Sequence, residues 1–156
     1  LGIDNNKIQK GISELELTKK RMEIRQLENG AILINDSYNA SFESMKSSIE
    51  YLGNHTGKRK IAALGDMFEL GEYSEELHKK VGREVAKNNI DLLLCVGNDA
   101  RYIIEGAKEM NKNMNTQLLK NNEELLAKLR KELKEGDVLL VKASNATKFY
   151  EICQKL

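Results

Sequence analysis

Proline and tryptophan are both absent from the 156 residues, and cysteine occurs twice. Without proline the linkers carry no rigid spacers. No apolar run approaches the ~20 residues of a bilayer span, and no stretch has the pattern of a signal peptide, so no membrane partner is expected. An excess of one charge sign is missing as well. Lys and Arg number 25 against 24 Asp and Glu, a net charge of +1, which argues against a nucleic-acid or membrane surface held by bulk charge. Cys95 and Cys153 are far apart, and Cys95 lies inside an apolar run. Both are expected to be reduced packing residues, which fits a cytoplasmic setting. The length suits one domain with a small appendage, and a chain of this size buries roughly 70% of its unfolded surface without staples. It begins with Leu1 rather than Met and opens in mid-pattern, so a fragment of a longer protein is expected.

What is present is a set of four short apolar runs, Ile32 to Ile34, Ile61 to Leu64, Leu92 to Val96 and Val138 to Val141. None alternates with polar residues, the pattern of strands covered on both faces. Amphipathic stripes lie between them. Met45, Ile49 and Leu52 follow Ser41, a cap candidate; Leu77, Val81 and Val85 follow Ser74, another. Ile103, Ile104 and Ala107 are opened by Asn98 or Asp99. Leu125, Leu126, Leu129 and Leu133 are closed by Gly136. Tyr150 and Ile152 belong to a last short helix, and a weaker strand is expected at Thr116 to Leu119. Alternation of strand and helix predicts an α/β sheet with right-handed crossovers. The first residues differ: Ile8, Ile12 and Leu15 form a helical stripe after Asp4 with no strand before it. Residues 1–17 are therefore expected to be the last helix of a preceding domain, Thr18 to Arg21 the linker, and 18–156 the α/β domain.

Each core run ends in polar residues: Asn35-Asp36-Ser37, Gly65-Asp66-Met67, Gly97-Asn98-Asp99 and Lys142-Ala143-Ser144-Asn145. In a parallel sheet these endings share the carboxyl edge, where open α/β proteins bind ligands, and the helix starts beyond them favour anions. Taken singly, Asp36 and Ser37 also fit turn and cap roles, Asp66 a solvated turn, and Lys142 an ordinary surface lysine. The constellation says more, because carboxylate, hydroxyl and ammonium would converge on one crevice. A decoy lies in "GNHTGKRK", residues 53–60. It is one residue too short for a phosphate-binding loop, has Arg59 where Ser or Thr is required, and leads from helix into strand. His55 and His78 have no Cys or His at ligand spacing, so no metal site is expected.

"NDSYNASFESM" resembles the D-D-S-Y-N-A-N-P-x-S-M segment of the Mur ligases that join D-alanyl-D-alanine to a muramoyl tripeptide. "KIAALGDMFELGEYSEELHKKVG" resembles their G-D-M-x-E-L-G-x-x-S-x-x-x-H signature, "GDVLLVKASN" their G-D-x-x-L-V-K-G-S-R ending, and "KKRME" their K-G-R-[LM]-E junction. The matches follow family order from Thr18 onward. The resemblance implies the third, Rossmann-like domain of a three-domain amide ligase of bacterial cell-wall synthesis, a mostly parallel sheet with helices on both faces. It implies ATP and Mg2+ as cofactors, bound mainly by a central domain outside this chain. UDP-N-acetylmuramoyl-tripeptide and D-alanyl-D-alanine are the implied substrates, joined through an acyl phosphate, and the isolated chain is expected to be inactive. By the same resemblance Arg21, Asp36, Ser37, Tyr38 and Asn39 are nucleotide-binding. Asp66 and Met67 lie toward the dipeptide, with internal loop structure an equal reason for the signature around Asp66, and Lys142 and Ser144 are substrate-binding, near the dipeptide or the phosphate. No catalytic residue is carried over.

Departures from the family pattern are Lys20 for the junction Gly, Ser41-Phe42 for Asn-Pro, and Ala143 and Asn145 for the late Gly and Arg. The competing reading is a receiver-like phosphoacceptor domain, for which Asp36, Asp66 and Lys142 supply the carboxylates and lysine. That reading wants an acidic residue beside Asp36, where Asn35 stands. A ligand-free interaction module is the third.

Overall fold

The computed structural model describes residues 21–156. The helix expected over residues 1–17 and most of the linker lie outside them. Among the described residues the elements run β1 (Glu23–Gln26), β2 (Ile32–Asn35), α1 (Phe42–Asn54), β3 (Arg59–Gly65), α2 (Ser74–Lys87), β4 (Leu92–Val96), α3 (Ala100–Met110), β5 (Thr116–Leu119), α4 (Asn122–Glu132), β6 (Asp137–Lys142) and α5 (Phe149–Lys155), with single 3-10 turns at Gly71–Tyr73 and Asn145–Thr147. The sheet order is β1-β2-β6-β3-β4-β5. β2 to β6 run parallel and β1 is antiparallel to β2. The expected parallel α/β sheet is present. β1 was not expected, because all four of its residues are exposed and it carries no buried apolar run to mark it.

The four core strands are apolar along their middles because both their faces are covered. Ile34, Ala62, Leu64, Leu93, Val138 and Leu140 pack with Met45, Ile49 and Leu52 of α1, Val81 and Val85 of α2, and Ile103 and Ala107 of α3. Their alternates Leu33, Ile61, Ala63, Leu94, Leu139 and Val141 pack with Leu125 and Leu129 of α4 and Phe149 and Ile152 of α5. Three crossovers thus cover one face while the return through α4 covers the other, inserting β6 between β2 and β3. Cys95 and Cys153 are free and buried, one in each layer. Burial raises both thiols, Cys153 to about 12. Helices α2 and α3 approach through reciprocal glycines. A Cβ on Gly82 would stand 1.9 Å from the Ile103 carbonyl oxygen, and one on Gly106 2.0 Å from that of Lys79.

Some local expectations change. Ser41 caps α1 in a reciprocal capping box with Ser44, and Asn121 caps α4. Ser74 is not a cap: it is the first residue of α2, continuing the 3-10 turn, and its Oγ donates to Asp99 Oδ2 (2.6 Å). α4 ends before Gly136, whose φ of +88° instead forms the turn into β6. The glycine-rich decoy lies around the start of β3, at the opposite edge from the strand ends. Its Arg59 forms a two-pronged pair with Asp137, its register partner on β6, through Nε to Oδ1 (3.1 Å) and Nη2 to Oδ2 (2.6 Å).

Burial raises the Asp137 carboxyl, but the Arg59 guanidinium and the Lys134 N–H outweigh it and hold the group below the ordinary carboxylate range. A depressed carboxylate contributes stability that is full above its unfolded pKa and is lost as pH falls through the folded one. Asp137→Asn is expected to cost about 1–2 kcal/mol near neutral pH, given a partly exposed partner. It should also flatten the loss of stability below about pH 4. Urea midpoints measured against pH for both proteins check this.

Candidate functional site: two crevices flanking the end of β6

The topology decides where a ligand can enter. After β2 and β3 the chain turns to the face covered by α1 and α2, and after β6 it turns to the face covered by α5. Chain departures to opposite faces open a crevice at the carboxyl edge. Here β6 has one on each side, since Asn35 pairs in register with Val141 and Leu64 with Lys142. The first crevice is lined by Arg21, Asp36, Tyr38, Asn39, Ala40, Ser41, Ser44 and Lys142 and holds about 240 Å³. The second runs between residues 39–41, Phe68 to Leu70 and Ser144 to Ala146 and holds about 450 Å³.

In the first crevice the Asp36 carboxylate is a hub. Oδ2 accepts from Lys142 Nζ (2.6 Å) and from Ser48 Oγ (2.7 Å), and Oδ1 accepts from the Met22 backbone N–H (3.2 Å). Lys142 is 2% exposed. Burial pushes its pKa below the ordinary lysine range against the pull of Asp36, and Arg21 adds a like charge. The Arg21 guanidinium lies over the Tyr38 ring at 4.4 Å from the centroid, a cation–π contact that leaves its fork edges open. Ser37 is buried and turned inward, its N–H and hydroxyl donating to Asn35 Oδ1, so it does not line the crevice. Asn35 in turn donates to Glu23 Oε2 of β1.

The signature segment proves to be a scaffold. The two Asp66 oxygens accept from the backbone N–H groups of Asn98 (3.0 Å), Asp99 (3.1 Å) and Ala100 (2.7 Å). Asp66 thereby caps α3, whose own Asp99 makes no capping bond. Gly97 (φ +137°) permits this, since a Cβ there would fall 2.2 Å from Asp66 Oδ1. Met67 is buried in the apolar layer, and its N–H donates to His78 Nε2 (3.0 Å) while His78 Nδ1 bonds the Ser74 carbonyl (2.7 Å). The Phe68 N–H donates to Ser144 Oγ, and the Ser144 N–H to the Asp66 carbonyl, both at 3.0 Å. These bonds zip the β3 and β6 loops together and present Phe68, Glu69 and Leu70 to the second crevice. Glu69 holds a φ of +63° to do so.

Of the residues expected at the site, Arg21, Asp36, Tyr38, Asn39 and Lys142 meet in the first crevice and Ser144 lines the second, while Asp66, Met67 and Ser37 face the fold. Sequence reasoning missed Ser48, whose signal was a serine beside the apolar stripe of α1. It also missed Met22, which shows none.

The Mur ligase, glutamate ligase domain model matches residues 20–145. The chain belongs to this Mur ligase domain family. It is 34% identical over 156 residues to the UDP-N-acetylmuramoyl-tripeptide--D-alanyl-D-alanine ligase of Bacillus subtilis, covering 99% of this chain and 34% of that one. Against the Synechocystis enzyme of the same name it is 37% identical, covering 94% and 32%. Among solved structures, MurF ligase from Thermotoga maritima in complex with ADP superposes with a TM-score of 0.74 at 30% identity, covering 90% of this chain and 31% of that one. MurF from Acinetobacter baumannii superposes at 0.78 and 26%, covering 99% and 34%. The Mur ligase domain thus spans about a third of the length of its relatives. This match leaves the receiver-like alternative without support.

Because Asp66 caps α3 from another loop, Asp66→Ala is expected to destabilise the Mur ligase domain by about 1–2 kcal/mol. Hydrogen exchange should accelerate selectively at the amides of Asn98, Asp99 and Ala100. A thermal melt with residue-resolved exchange tests it.

Proposed function

We propose that this chain is the third domain of an ATP-dependent ligase that joins D-alanyl-D-alanine to UDP-N-acetylmuramoyl-tripeptide in peptidoglycan synthesis, acting in the cytoplasm. Among the described residues no helix is long and apolar enough to cross a membrane. The observation that carries the reading is the pair of adjacent crevices at the β6 end, in a chain whose Thermotoga relative is described with ADP. The first crevice suits part of a nucleotide: Arg21 offers a guanidinium fork for phosphate or ribose oxygens, while Asp36 offers a carboxylate, Tyr38 a hydroxyl and Asn39 an amide. A magnesium ion fits these residues poorly, because the Asp36 carboxylate already faces the Lys142 ammonium at 2.6 Å. The metal is assigned to the rest of the enzyme. The second crevice takes the amino substrate, with Ser144 Oγ, already accepting from Phe68, free to turn its proton outward.

In the reaction a substrate carboxylate oxygen attacks the γ-phosphorus and ADP leaves. The dipeptide nitrogen then attacks the acyl carbon; the C–N bond forms, the C–O bond to phosphate breaks and the nitrogen loses a proton. The domain's contribution is to hold nucleotide and amine in register, an entropic and electrostatic task.

A phosphate-release assay on the complete ligase with ATP, the UDP-linked tripeptide and D-alanyl-D-alanine should show amide formation, and the 156-residue chain alone should show none. Arg21→Ala in the complete enzyme is expected to raise the KM for ATP about tenfold, the scale of one lost charge-assisted hydrogen bond. Robust ATP turnover by the isolated chain would overturn the assignment.

A further inference from the structure

We propose that Lys142 is a positioning residue that couples the two crevices through the wall between them, and does not itself touch substrate. The inference rests on the ligase reading above. Asn39, Ala40 and Ser41 line both crevices. They belong to the connection between β2 and α1, which is neither strand nor helix. Within that connection Ser41 is held locally by its capping box with Ser44. Beyond the adjoining helix α1, the hydrogen bond that reaches the wall comes from Lys142, whose Nζ donates to the Asn39 carbonyl (2.9 Å).

The other donations of the same ammonium go to Asp36, to Oδ2 at 2.6 Å and to the carbonyl at 3.4 Å. All three hydrogens are therefore aimed at the Asp36–Asn39 turn. Being buried and fully committed, the ammonium has no proton left for a phosphate or carboxylate. Two residues further on, Ser144 holds the opposite wall of the second crevice through Phe68. One strand end thus fixes the carboxylate of the first crevice, the shared wall, and the far wall of the second. Ser48 touches the same Asp36 oxygen without reaching Asn39.

The test uses the complete ligase and its two steady-state constants. Lys142→Met is expected to raise the KM for ATP and the KM for D-alanyl-D-alanine together, each about tenfold, with a smaller change in kcat. Ser48→Ala is expected to raise the KM for ATP alone. Because Lys142→Met leaves the Asp36 charge without its counter-ion and can unfold the protein, the pair Asp36→Asn/Lys142→Met is measured beside it. That variant should melt close to the wild type and show the same joint rise. A rise confined to one substrate, or no rise in the folded double variant, overturns the coupling role. Absence of amide formation by the wild-type enzyme would instead overturn the ligase reading itself.

Discussion

The contact on which the carboxyl edge depends is the buried ion pair between Lys142 at the end of β6 and Asp36 just past β2. An ammonium taken out of water loses several kcal/mol of hydration, and its partner's attraction returns that only with good geometry and full hydrogen bonding. Both conditions are met, by Ser48 and the Met22 N–H on the carboxylate and by two carbonyls on the ammonium. Such a pair adds little net stability compared with an apolar substitute. It does set a direction, because the acceptors of the ammonium all lie in the turn from Asp36 to Asn39. It also ties the incoming chain at Met22, held at φ +47°, to the floor of the first crevice.

The late-motif departures fit this frame. Ala143 packs where the family pattern has Gly. Room for its methyl comes from Gly65 across the sheet, where an added Cβ would lie 2.8 Å from that of Ala143. Phe42, in place of proline at the start of α1, packs against the core, and the Ser41–Ser44 box supplies the order that a locked φ would have given. Asn145 lines the second crevice in place of Arg, so that wall carries an amide without a positive charge. Lys148 does not replace it: it lines a cavity with Asn122, Glu123 and α5.

The signature around Asp66 teaches a distinction between a specific motif and a contacting one. Gly65, Asp66, Met67, Ser74 and His78 are spent on close packing, capping, burial and loop hydrogen bonds. The residues the loop leaves free are Phe68 and Glu69, the first of them an unspecified position of the motif. A sequence pattern strict enough to identify the family is here strict because many backbone donors must be met at once.

What the sequence by itself determined is the set of covered strands, the helices alternating with them and the polar endings at one edge. Burial on two faces, helical periodicity and local caps leave their trace within a few residues. Tertiary structure alone decided the insertion of β6 between β2 and β3, the pairing of the polar strand β1, and the division of the endings into crevice-facing and fold-facing groups. Lys142 reaches Asp36 across 106 positions and Asp66 reaches Asn98 across 32. A hydrogen bond between residues so distant imposes no period on the chain, so nothing in the sequence distinguished a carboxylate that caps a helix, Asp66, from one that lines a crevice, Asp36.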